Sequence, residues 1–233
     1  MRIMTWDIDS GGRGKVNDII DNIEKEDCEI LVITGFRVNH NKDSILSGLK
    51  KIGYEYFVYN KRKNKYKDTV LIASKERLNV VKYNNSLDSF LIVEKDDVYI
   101  AGMNFTNSQT QKKLVETFEQ ELLPYKNKNL IVAGNMQTAK NYATPNSLNK
   151  QLCKKYLSFN DMGFNNCISE CGYAGGEYTW HSKKSGEYNV DFILADKSID
   201  LSESFCYYNN EVKRNNISSH SIIVLNLIIK NIS

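Results

Sequence analysis

The segment LIVAGNMQTAKN (Leu130 to Asn141) runs an apolar stretch into a polar turn. Strand ends of this kind are where many enzymes hold a metal-binding carboxylate. Here the first polar residue after the glycine is Asn135, and Gln137 follows it. Both are neutral amides, which offer a donor and an acceptor but no proton-accepting charge. Groups able to carry charge stand at other element ends: Asp7 and Asp9 close RIMTWDID, Arg37 follows EILVITGF, Asp191 lies in NVDFILA, and His220 precedes SIIVLNLIIK. Singly, each is as well explained as a turn residue.

These residues depend on short apolar runs alternating with helical patterns. RIMTWDI reads as a strand followed by a glycine turn, and VNDIIDNIEKE places Val16, Ile19, Ile20 and Ile23 at the helical period. EILVITGF is apolar on both faces, as a buried strand requires. DSILSGLKKIG reads as a helix capped by Asp43 or Ser44 and stopped near Gly53. YEYFVYN, TVLIAS, LNVVKY, SFLIVEK and VYIAGMNF are strand candidates in succession. After them, TQKKLVETFEQELLPY reads as a helix ended by Pro124, NLIVAG as a strand and SLNKQLCKKYLSF as a helix. EYTWHS, NVDFILA, SFCYYN and SIIVLNLIIK complete the strands. Two strand runs with helices between and outside predict an α/β (α+β) protein, a four-layer α/β/β/α sandwich of two packed mixed sheets flanked by helices.

With 233 residues, 41% apolar and 25% charged, the chain suits one soluble domain over residues 1–233, and two prolines leave no Pro-rich linker. A net charge of +3 permits a polyanionic partner without demanding one. Five scattered cysteines without a CxxC pair suggest reduced structural thiols and a cytoplasmic setting. The start MRIMTWDIDS lacks the apolar core of a signal peptide, and no apolar run reaches membrane-spanning length, so no membrane partner is expected.

The order of these blocks resembles the endonuclease/exonuclease/phosphatase superfamily, the fold of pancreatic deoxyribonuclease and the abasic-site endonucleases. RIMTWDIDSGG is similar to its opening T-W-N block, EILVITGFR to the block ending T-E-x-R, and DTVLIASK to its N-G-V-x-I strand. IAGMNF is similar to a strand bearing a histidine or tyrosine, and VAGNMQT to G-D-x-N-T. YTWHSKKSGEYNVDFILA is similar to Y-T-W with R-x-D-Y-I-L, and SSHSIIV to the closing S-D-H. The matches run from Arg2 to Val224.

The resemblance implies hydrolysis of a phosphoester with a divalent metal, usually magnesium, held by the Glu of the second block with help from the opening Asn. It implies an Asp that positions or deprotonates water, an Asn that orients phosphate, and a closing His held by the Asp of the R-x-D strand. Carried over, most of this is substituted. Gly35 stands at the metal-binding Glu, Asn135 at the base Asp, Gln137 at the phosphate-orienting Asn and Ser219 at the Asp of S-D-H. Asn104 replaces the histidine or tyrosine, and Asp7 the opening Asn. Only Asp191 and His220 fit as an intact pair, equally explained as a polar pair kept for packing.

The expectation is a catalytically inactive relative that binds a phosphorylated ligand, nucleic acid or nucleotide, or a protein partner, without a cofactor. Arg37, Asn104, Asn135, Gln137 and His220 can all donate to phosphate oxygens. Lys61, Arg62 and Lys63, with Lys65 and Lys67, stand among tyrosines in the basic and aromatic composition of a nucleic-acid contact loop, or of a solvated hairpin. The alternatives are a magnesium- or manganese-dependent phosphodiesterase, nuclease or phosphatase whose metal is held by Asp7, Asp9 and Asp191, and a protein–protein interaction module.

Overall fold

Strand alternation sets both the sandwich and its polar mouth. In the computed structural model, which describes residues 1–60, 67–83, 90–105, 118–136, 159–172, 178–182 and 186–229, successive residues of each strand point to opposite faces. Along β1 (Arg2–Asp7) Ile3 enters the core between the sheets, while Met4 and Trp6 pack outward. The same period holds along β2 (Ile30–Phe36), β4 (Thr69–Ser74), β7 (Val98–Asn104), β8 (Leu130–Asn135) and β12 (Asp191–Asp196). Val32, Ile72, Ile100, Ile131 and Ile193 therefore meet in one apolar layer.

One six-stranded sheet has the order β13-β14-β1-β2-β4-β3, with β3 at Tyr56–Tyr59, β13 at Phe205–Asn209 and β14 at Ile222–Asn226. The other has the order β5-β6-β7-β8-β12-β9, with β5 at Asn79–Tyr83, β6 at Phe90–Lys95 and β9 at Phe164–Asn166. Both are mixed: β1 runs parallel to β2 and β7 parallel to β8, while the other pairings are antiparallel. A separate hairpin joins β10 (Trp180–Ser182) to β11 (Gly186–Tyr188).

The first sheet's outer face is covered by α2 (Val16–Glu26) and α3 (Lys42–Lys51), through Ile19, Ile20, Ile23, Ile45 and Leu49. Between β1 and α2 lies a short turn, α1 (Asp9–Gly12), in which Asp9, Ser10 and Gly11 all have positive φ. The other sheet's outer face packs on Leu122, Phe159 and Met162.

Several expectations change in detail. Asp43 and Ser44 do not cap α3: it starts at Lys42 with Asn41 at the cap and no side-chain cap bond, because the Asn41 amide donates to Gly11 O (2.9 Å) instead. The expected helix of residues 110–125 is described only from Phe118, as a π turn (Phe118–Leu122) and a 3-10 turn (Leu123–Tyr125) beside Pro124. The helix expected over SLNKQLCKKYLSF lies outside the described residues, apart from Phe159 in a turn. The three-residue strands β9 and β11, and helices α4 (Cys167–Cys171) and α5 (Glu211–Arg214), were not legible from periodicity because none spans a full period of apolar residues.

Cys28, Cys167 and Cys206 are buried free thiols, and burial pushes Cys28 up to about 12, which suits inert packing residues. No helix among the described residues is long and apolar enough to cross a membrane.

Candidate functional site at the mouth between the sheets

The alternation that fills the core with aliphatic residues puts polar ones at its rim. Asp7 and Thr34 are register partners on β1 and β2; Asn104, Asn135 and Asp191 form a row across β7, β8 and β12. All five are inward-facing positions at the strand ends where the sheets open, and all are buried. The chain thus gathers residues separated by nearly two hundred positions.

The two sheets are joined by a hydrogen bond at this rim: Asn135 Nδ2 donates to Asp7 Oδ2 at 2.8 Å. The other Asp7 oxygen accepts from the Asp9 N–H at 2.9 Å. Asp9, beyond the strand end, turns its carboxylate to the segment before β14, where Oδ2 accepts the Ser219 N–H (2.7 Å) and Oδ1 the Ser219 hydroxyl (3.0 Å). Ser218 donates its hydroxyl to Asp7 O at 2.7 Å and accepts the His220 N–H at 3.0 Å. These short links fix the His220 backbone, and Trp6 Nε1 holds its carbonyl at 3.2 Å.

His220 Nδ1 lies 2.8 Å from Asp191 Oδ2, so the pair expected from the sequence is formed. Burial pushes the imidazolium down, but the carboxylates of Asp191, Asp7 and Asp9 outweigh it and raise His220 to about 9. Burial pushes the Asp191 carboxyl upward, against the pull of His220. Asp191 Oδ1 and Asn104 Oδ1 are buried without a hydrogen-bond partner among the described residues. Thr179, which the sequence did not single out, orients the start of β12 by accepting the Val190 and Asp191 N–H groups on its hydroxyl. Ser218 and Thr179 were missed because hydroxyls beside a histidine or an aromatic are common in loops; only their place in the quoted blocks marked them.

Gly35 sits in an irregular stretch of the β2–β4 pairing, at φ +65°. A Cβ built there would fall 2.3 Å from Asp7 Oδ1 and 3.1 Å from the Asp9 nitrogen. The position at which the resemblance implies a metal-binding Glu is therefore occupied by the carboxylate of Asp7. Arg37 donates from Nε to Asp68 Oδ1 (2.5 Å) and from Nη2 to Ser10 Oγ (2.9 Å). Its guanidinium is thus held at the side of the mouth. Gln137, Lys61, Arg62 and Lys63 lie outside the described residues.

Ligand atoms of Asp7, Asp9 and His220 come within 4.8 Å of one another, a spacing that admits a metal ion. Asp191 joins this group through its contact with His220. The set does not fit the magnesium arrangement that the resemblance implies. Glycine stands where the resemblance implies the principal ligand, each oxygen of Asp7 and Asp9 already accepts a hydrogen bond, and His220 Nδ1 is committed to Asp191. Two carboxylates, an imidazolium and an amide can instead position polar groups of a ligand; Asn135 cannot take a proton from water.

No protein-family profile and no curated protein matches the sequence. Solved structures do match it by shape. A 3′-5′ exonuclease from Neisseria meningitidis aligns with a TM-score of 0.75 at 16% identity, covering 97% of this chain and 99% of that one. A 3′ phosphatase from Neisseria, bound to a product DNA hairpin, aligns at 0.73 and 17% identity over 98% and 99%. An AP endonuclease from Archaeoglobus fulgidus aligns at 0.73 and 15% identity over 98% and 100%. The chain has the deoxyribonuclease-like fold of endonuclease/exonuclease/phosphatase proteins over nearly its whole length. At its mouth Asp7 and Asn135 are joined by a hydrogen bond beside Gly35.

Proposed function

We propose that this chain binds a phosphorylated ligand, nucleic acid before nucleotide, at the mouth between the sheets and does not hydrolyse it. The observation that carries this reading is Asn135: it stands where a base would be needed, is buried, and gives its N–H to Asp7. The fold shared with a phosphatase bound to product DNA supports nucleic acid as the ligand class. The positive side of the mouth is His220 with Arg37 and Arg13, the latter 3.8 Å from Asp9. Arg37 and His220 are the groups that would meet phosphate oxygens.

Fluorescence anisotropy with a 5′-labelled single-stranded and hairpin DNA, in EDTA and again in Mg²⁺ or Mn²⁺, tests binding. Phosphodiesterase and phosphatase turnover is assayed in parallel. Metal-independent binding without turnover is expected. Turnover that requires metal and is lost in His220→Ala would overturn this reading and establish the second one, a metal-dependent phosphoesterase with a rearranged site. That second reading is favoured by one observation, the convergence of Asp7, Asp9 and His220. Co-purification with a protein and no response to DNA, nucleotide or phosphate would point to an interaction module.

The Arg37–Asp68 pair gives a further prediction. Asp68 competes with phosphate for the guanidinium, so Asp68→Asn is expected to tighten DNA binding roughly threefold to tenfold at low salt, the scale of one charge-assisted contact. Anisotropy titrations of both proteins at matched ionic strength check it.

A further inference from the structure

We infer that Asp7, Gly35 and Asn135 form one interdependent unit across the two sheets, which replaces a metal corner with an internal carboxylate–amide link. Three observations meet at one carboxylate. Its Oδ2 takes the Asn135 amide at 2.8 Å from the opposite sheet. Its Oδ1 takes the Asp9 N–H at 2.9 Å and lies 2.3 Å from where any side chain at residue 35 would begin. Both side chains of the link are nearly excluded from water, Asp7 at 5% and Asn135 at 2% exposure.

The chemistry of the link explains why these residue types go together. A hydrogen bond of this length needs one donor and one acceptor, so a charged acid at residue 7 requires a neutral amide at residue 135. Two ionised carboxylates there would repel in a buried setting, and two amides would remove one of the three carboxylates that act on His220. The Asp7 carboxylate in turn lies in the volume into which a residue-35 side chain would extend, so residue 35 must be glycine as long as Asp7 holds this pose. The same link could carry its charge on either sheet, and in this chain the charge lies on β1. The coupling does not depend on which phosphorylated ligand the mouth takes.

A swap experiment tests this. Asn135→Asp is expected to lower Tm by roughly 10 °C at pH 8. The double swap Asp7→Asn with Asn135→Asp restores the donor–acceptor match and is expected to recover most of that loss, a non-additive result. Gly35→Ala is expected to lower Tm clearly in the wild-type chain and by about half as much in an Asp7→Ala background, where the 2.3 Å clash is gone and the positive φ and the Asp9 nitrogen at 3.1 Å remain. Mn²⁺ binding, read by the loss of the free-ion electron paramagnetic resonance signal, is expected to be absent in the wild type and to appear in Asn135→Asp, where carboxylates of both sheets face each other.

Additive effects at residues 7 and 135, an equal cost of Gly35→Ala with and without Asp7, or Asp7-dependent Mn²⁺ binding by the wild type would overturn the inference. Should Asn135→Asp not fold, the double swap decides: a folded protein with near wild-type Tm supports the unit, and an unfolded one overturns it.

Discussion

Replacing His220 with alanine is expected to cost roughly 3–5 kcal/mol of folding stability, the usual price of stripping a buried charge of its partner. Asp191 is 2% exposed, its Oδ1 has no hydrogen-bond partner among the described residues, and its Oδ2 meets His220 Nδ1 at 2.8 Å. Without the imidazolium, the Asp191 carboxylate must stay protonated or the fold must open to water. Adding Asp191→Asn to the His220→Ala protein removes the stranded charge and is expected to recover part of the loss. Urea denaturation midpoints of the three proteins measure this.

The same pair sets a pH dependence whose sign is fixed. His220 is raised from 6.5 in the unfolded chain to about 9 in the folded one. The folded state therefore holds its proton more tightly. The stabilisation is complete below about pH 6.5 and is lost as pH rises through about 9, on the order of 3 kcal/mol in full. The upward shift of Asp191 acts in the same direction. Stability of the wild type between pH 6 and 10 is expected to fall, while that of His220→Ala with Asp191→Asn stays nearly flat. A flat wild-type profile would mean that the pair is not ionised in the folded protein.

The second large effect is expected at Gly134→Ala. Gly134 lies on β8 between Met103 of β7 and Phe192 of β12, at φ +136°. A Cβ there would fall 1.9 Å from the Met103 carbonyl oxygen and 2.9 Å from its carbon. Both are backbone atoms of a central strand, so no side chain can turn aside, and β7 and β8 would have to part. Strain and overpacking together suggest a loss of about 4 kcal/mol. For a chain of this size, that is on the order of 10 °C in Tm. Gly53 makes the control: its φ is +93° but nothing lies within 4 Å of its would-be Cβ, so Gly53→Ala is expected to cost only about 1 kcal/mol. Equal Tm losses in the two variants would refute the steric argument. Because Asn135 follows Gly134 directly, a surviving Gly134→Ala protein should also lose the cross-sheet link.

The sequence by itself determined the core and the positions of its rim. Apolar runs with period two or 3.6 can bury their faces in few ways, and so the sandwich, its buried strands, and helix α2 were legible from Ile19, Ile20 and Ile23 alone. The order of blocks likewise located Asp191 and His220, which do form a pair. What the sequence could not state is which atoms meet. Asn135 read as an amide without charge, and Gly35 as a ligand lost. Only the packing of β8 against β1 places Asp7 against Asn135, and only the left-handed backbone at residue 35 brings the Asp7 carboxylate into the space a side chain would take. Asp9 read as a turn residue or, with Asp7 and Asp191, as a metal ligand, yet its hold on Ser219 depends on the turn between β1 and α2. Hydrophobic burial is a one-dimensional signal carried by each strand separately. A hydrogen bond across two sheets depends on distances of a few tenths of an ångström, which the tertiary structure alone decides.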